Sequence, residues 1–190
     1  MIGFALCGSF CTFKNAIEVF KQLISRGESI VPIMSFNAST INTRFGRAED
    51  FISDITYICG SKPITTIEDA EPLGPKISLS SLLICPCTGN TLAKLASGIT
   101  DTPVTMAAKA HLRCGRPLVI ALASNDALGA NLQNIAKLSE KKNVYFVPML
   151  QDDPEKKPYS LVCDFSKAVE ALDYAKRGVQ LRPMILEKSK

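Results

Sequence analysis

Tryptophan is absent from this 190-residue chain, and histidine occurs once, as His111. The near-absence of histidine is the more restrictive. It excludes a multi-histidine zinc centre, and any Ser-His or Cys-His pair has to draw on His111, within a segment that reads as helix. No stretch is apolar for the length that a membrane-spanning helix needs. The opening residues, MIGFALC, are apolar but carry no basic flank, which predicts a first core strand and no signal peptide. Neither G-x-x-x-x-G-K-[ST] nor G-x-G-x-x-G occurs, which removes a Walker-type ATPase and an ordinary dinucleotide site. Strong charge of one sign is missing as well. The net charge is +4, and the basic residues are scattered apart from Lys156-Lys157 and the C-terminal tail. That favours no nucleic-acid or membrane partner and fits a small anionic ligand.

What is present suits a single domain spanning residues 1–190, with 46% apolar and 21% charged residues. The seven cysteines are odd in number on a chain with no secretory signal, so they read as reduced, buried thiols of a cytoplasmic protein. Cys85 and Cys87, like Cys7 and Cys11, are therefore structural rather than metal ligands, with Cys87 expected at the rim of a site. Strand and helix patterns alternate throughout. Strands are expected over 2–6, 29–34, 79–85, 117–123 and 143–150. Helices are expected over 14–26, 48–58, 91–97, 101–114 (N-capped by Asp101), 127–138 and 166–176. Residues 36–47 read as irregular. Near-continuous apolar strands separated by helices imply an α/β fold: a three-layer, doubly wound parallel sheet of flavodoxin-like or Rossmann-like type.

Such sheets bind ligands beyond the carboxyl ends of their strands. Here those ends carry Gly8-Ser9, Ser35, Thr88-Gly89-Asn90-Thr91 and Ser124-Asn125. All are uncharged and rich in hydrogen-bonding groups. The run Cys85-Pro86-Cys87-Thr88-Gly89-Asn90-Thr91 is the most informative, because a strand feeding a helix N-terminus leaves unpaired N–H groups and a positive dipole end. Gly8-Ser9 alone is also what a tight turn with a capping serine looks like. Several such joints along one rim suit a mononucleotide such as FMN.

Three runs carry a resemblance: Gly8-Ser9; Pro86-x-x-x-Asn90-Thr91-Leu92-Ala93-Lys94-x-Ala96-x-Gly98-Ile99-x-Asp101; and Arg116-Pro117-Leu118-Val119 leading to Asn125. The chain resembles the flavoprotein family of homo-oligomeric flavin-containing cysteine decarboxylases, which also includes flavin prenyltransferases. Thr43-Arg44-Phe45-Gly46, Asp69-Ala70-Glu71-Pro72-Leu73-Gly74, Ser124-Asn125-Asp126-Ala127-Leu128-Gly129 and Gln151-Asp152-Asp153-Pro154 point to one branch of it. Its members work beside a separate A subunit.

The resemblance implies FMN as cofactor. Gly8, Ser9, Phe10 and Ser35 would meet its phosphate or ribityl chain, and Thr88, Gly89, Asn90 and Thr91 its phosphate and ring region, with Ser124 at a ligand-contacting strand end. It implies assembly as trimers or dodecamers, with flavin sites completed at contacts between copies. The branch implies oxidation of a dihydropyridine dicarboxylate to the aromatic dicarboxylate in a sporulating cell, the A subunit carrying the dinucleotide site. Asn90 and Asn125 would then orient the reacting groups and Arg44 would clamp a substrate carboxylate. Two departures stand out. Cysteine decarboxylases of the family use a histidine after the second strand, where residues 36–50 offer Arg44 and Arg47. The strand end at Ala123-Ser124 lacks the arginine typical of prenyl transfer. The alternatives are a non-catalytic scaffold for the A subunit and a stand-alone flavin-dependent decarboxylase.

Overall fold

A computed structural model describes residues 1–187; the last basic residues of the tail lie outside the described residues. Strand β1 (Ile2–Leu6) is buried at every position. Its side chains alternate between two cores: Ile2, Phe4 and Leu6 enter one, Ala5 and Cys7 the other. That division explains the continuous apolar run, because a strand covered on both faces has no solvent side to leave polar. The same holds for β3 (Ser81–Cys87), buried throughout, and for β4 (Leu118–Ser124), buried up to its last residue.

Beside β1 lies β2 (Ile30–Met34), and the parallel order continues β2-β1-β3-β4. The first half of β4, Leu118 to Ile120, pairs in parallel with β5 (Val144–Phe146). The parallel strands therefore run 2-1-3-4-5, the flavodoxin-type order, whose ligand crevice opens where the chain reverses direction between β1 and β3. Helices α1 (Phe13–Ser25), α3 (Ala48–Cys59) and α8 (Ala168–Lys176) pack on one face of the sheet. On the other lie α5 (Gly89–Ser97), α6 (Pro103–Leu112) and α7 (Leu132–Ser139). Helix α1 buries Phe13, Ala16, Val19, Phe20 and Leu23. These recur at the three- and four-residue spacing of one helical face. Gly27, at φ +78°, ends the segment in the left-handed region that other residues avoid.

The expected α/β class with a mostly parallel central sheet holds, with four local corrections. Residues 143–150 are not one strand. The chain turns at Val147-Pro148, and β6 (Met149–Leu150) then pairs antiparallel with β7 (Leu161–Cys163). Strand β7 in turn pairs antiparallel with Ala123 and Ser124 at the tip of β4. A proline lacks the N–H that would continue the ladder, and β7 is too short to announce itself by alternation. Thr102, not Asp101, caps α6: its side chain accepts from the Thr105 N–H, and the Thr105 side chain accepts from the Thr102 N–H. Residues 36–47, read as irregular, contain the short helix α2 (Phe36–Thr40), with Ser35 as its cap. The segment that precedes α7 is a series of turns, so that helix begins five residues later than expected. A further short helix, α4 (Ile67–Ala70), lies between α3 and β3. No helix among the described residues is long and apolar enough to cross a membrane.

Candidate functional site

The carboxyl ends of β1, β2, β3 and β4 open onto two adjoining clefts that share Gly8, Thr88 and Asn90. The narrower, about 310 Å³, is also lined by Ser35, Phe36, Asn37, Thr91, Lys94, Asp101 and Thr102. The wider, about 520 Å³, adds Ser9, Phe10, Cys11, Arg44, Phe45, Gly89 and Ala123 to Asp126. Every residue expected to meet cofactor or substrate lies in one or both. Arg47, the other arginine of the 36–50 stretch, does not; it pairs with Glu49 on the surface.

The local geometry follows from the turn chemistry. Ser9 precedes a single 3-10 turn, Phe10–Thr12, and its carbonyl accepts from the Thr12 hydroxyl at 2.8 Å. Ser35 accepts from the Ala38 N–H at 3.3 Å and is buried. Its hydroxyl proton is thereby available to another acceptor. Thr88 accepts from the Thr91 N–H at 3.3 Å and donates its own hydroxyl to Thr91 Oγ1 at 3.1 Å. Thr91 passes the chain on to Cys7 Sγ at 3.3 Å. The two threonines thus use their hydroxyl protons to tie α5 to β1. They shape the narrow cleft, and the uncharged donors left along it are Asn37, Asn90, Ser35 and the amides of the first turn of α5.

Lys94 is one turn further along α5, with Nζ 2.8 Å from both carboxylate oxygens of Asp101. That hydrogen bond and charge hold the Asp101 carboxyl below the usual carboxylate range. In the wider cleft, the Arg44 guanidinium stacks 4.9 Å over the exposed Phe45 ring. In the same cleft, Asp126 accepts hydrogen bonds from Ser124 Oγ and from Asn131 Nδ2.

Asn37, Lys94, Thr102 and Asp126 escaped the sequence reading as site residues. Asn37 sits in the stretch read as irregular. Lys94 and Asp101 are seven residues apart, too far for a helix pair, and meet only because the α5–α6 turn folds back. Asp126 follows the residue that was singled out, and nothing in its spacing announces that it faces the cleft. Cys87 requires a correction. It is fully buried, not at the rim, and burial together with Cys7 and Cys163 pushes its thiol well above the ordinary range. Cys7 is pushed up to about 11 for the same first reason, burial. His111 is buried away from both clefts, where Nε2–H donates to the Pro117 carbonyl at 2.9 Å.

The sheet has the flavodoxin-type order, with uncharged, donor-rich strand ends at its switch point, which is the layout of the doubly wound α/β class. The chain belongs to the Flavoprotein family, whose pattern it matches over residues 1–173. Within that family it is 41% identical to the B subunit of dipicolinate synthase of Bacillus subtilis (strain 168) over 186 residues, which are 98% of this chain and 93% of the relative. The crystal structure of the corresponding B subunit of dipicolinate synthase from Bacillus halodurans C aligns with a TM-score of 0.90 at 39% identity, covering 99% of this chain and 96% of that one. That is the branch to which the runs at 43–46, 69–74, 124–129 and 151–154 pointed. The FMN-dependent cysteine decarboxylase SpaF aligns at a TM-score of 0.63 and 26% identity, covering 92% and 95%.

Proposed function

We propose that the protein is the B subunit of a dipicolinate synthase, a cytoplasmic FMN-binding oxidoreductase. With an A subunit, it oxidises a dihydrodipicolinate-type intermediate to dipicolinate during sporulation. The observation that carries this reading is the convergence of Gly8, Ser35, Thr88 and Asn90 with Arg44, Asn125 and Ser124 on two joined clefts. The donor set fits the group. The narrow cleft offers amides, hydroxyls and Lys94 to a phosphate, and the wide one offers Phe10, Phe45 and amide side chains to a flat, polar-edged ring. A bound flavin supplies two-electron redox chemistry. The chain's own part is to orient, through Asn90 and Asn125, and to hold a substrate carboxylate on Arg44. Gly8, Ser9 and Ser35 would hold the phosphoribityl end of the flavin. Thr88 and Thr91 fix the helix start, and Gly89 brings it close to the tip of β4. The unit spans residues 1–190 and assembles with copies of itself as a trimer or dodecamer.

The test is anaerobic titration of the purified protein with dihydropyridine dicarboxylates, with and without the A subunit, while following the flavin bands at about 370 and 450 nm. Bleaching that depends on substrate supports the reading. A protein that binds no flavin under any of these conditions removes it. A second reading draws on a specific observation: neither cleft contains a histidine, since His111 is committed to Pro117. On that reading the chain is a scaffold that binds and activates the A subunit. Colourless protein that still stimulates the A subunit selects it.

A further inference from the structure

Asp126 is a carboxylate held in a fixed place on the wall of the wide cleft. One oxygen accepts from Ser124 Oγ and the other from Asn131 Nδ2, at 2.9 Å. Asn131 is buried, only 6% exposed, and is itself anchored by Asn134 Nδ2, which donates to Asn131 Oδ1 at 2.9 Å. The network presses on the start of α5. A Cβ on Gly89 would lie 2.5 Å from Ser124 Oγ, 2.6 Å from Asn131 Nδ2 and 2.9 Å from Asp126 Oδ1. Glycine at 89 is therefore a condition for placing this carboxylate where it is.

A carboxylate accepts hydrogen bonds and donates none. Two of its roughly four acceptor positions are filled by Ser124 and Asn131, which leaves the others for the cleft. It also puts a negative charge beside the positive end of α5, on the side facing the wide cleft. An anionic group is disfavoured there and an N–H donor is favoured. Its neighbour Asn125, on the same wall, supplies an amide donor. Adjacent donor and acceptor match a ring edge on which a carbonyl stands next to an N–H. The uracil edge of a flavin, with N3–H between two carbonyls, has that pattern.

We infer that Asp126 accepts the N3–H of the flavin ring while Asn125 donates to a flanking carbonyl, and that this pair sets which way the flavin lies across the two clefts. The inference rests on the flavin reading above. It places the phosphate in the narrow cleft, away from Asp126, and leaves Arg44 for a carboxylated partner of the ring.

The experiment is fluorescence-quenching titration of the full chain with FMN and with N3-methyl-FMN, which lacks the donor. The wild type is expected to bind FMN at least about tenfold more tightly than the methylated form, the worth of one hydrogen bond to a charged acceptor. D126A is expected to reduce that preference to less than about twofold. D126N, which keeps the shape and the Asn131 contact should D126A fold poorly, is expected to weaken the preference. It should also raise the two-electron reduction potential of the bound flavin, because a negative charge near the ring disfavours the more negative reduced form. Equal affinity of the wild type for the two flavins overturns the inference, as does an undiminished preference in D126A or an unchanged potential in D126N. If the wild type binds neither flavin, the flavin reading itself falls; if it binds both alike, only the role of Asp126 does.

Discussion

The two clefts at the sheet's carboxyl edge share a wall and differ in what that wall offers. The narrow cleft is lined mostly by small amides and hydroxyls, with Phe36 as its one aromatic, and its one cation, Lys94, is held by Asp101. The wide cleft has two phenylalanines, an exposed arginine and a carboxylate held by the buried Asn131 amide and the Ser124 hydroxyl. Near-neutral polarity with a helix start suits a phosphate; aromatic faces with a held acceptor and a neighbouring amide suit a ring. The lesson is that one strand-end motif, Thr88 to Thr91, serves both, because α5 starts between them.

Putting a charge of the wrong sign into the narrow cleft should separate the two most sharply. Asn37→Asp places a carboxylate near the phosphate position, and FMN affinity should fall by about a hundredfold, while riboflavin, which has no phosphate, should change by less than about threefold. Equal losses for both ligands would mean that the phosphate does not lie there. Gly89→Ala attacks the shared wall. With three polar atoms inside 3 Å of the new Cβ, unfolding stability should drop by about 1–3 kcal/mol, read from denaturant midpoints at unchanged m-value. Arg44→Ala is confined to the wide cleft. It should weaken binding of a pyridine dicarboxylate by about tenfold and leave FMN affinity unaltered, measured by calorimetry.

The smallest effect lies outside both clefts and serves as their control. Burial, with Arg116 nearby, lowers the pKa of His111 below its ordinary 6.5. The unfolded chain therefore binds a proton that the folded chain refuses. Stability contributed by neutral His111 is present above about pH 6.5 and is lost as pH falls below it, by at most about 1.4 kcal/mol per pH unit. His111→Gln should flatten that part of the profile in thermal melts between pH 7 and about 5 without moving FMN affinity.

The parallel part of the fold was legible because β1, β3 and β4 are covered on both faces, and full burial writes itself as an unbroken apolar run. The tips were legible for a related reason: hydroxyl and amide residues at 8–9, 35, 88–91 and 124–125 interrupt those runs abruptly. What escaped depends on contacts between distant segments. The strands β6 and β7 have two and three residues, and the hairpin they form is defined by its partner, the tip of β4. Asp126 gains its place from Asn131 and from the missing side chain of Gly89, and no local pattern encodes that three-way fit. Cys87 looked like a rim residue because the expected strand ended two residues too early, at Cys85; β3 continues through Pro86, and the pairing with β4 shifts register there.

Cys11 stands apart from the buried thiols: it is exposed, on the lip of the wide cleft, and Cys114 is the other exposed one. With Cys114 replaced by serine, a maleimide dye would attach by preference to that lip. The molecule thus carries a native handle for an optical reporter of occupancy, with no cysteine to be engineered in.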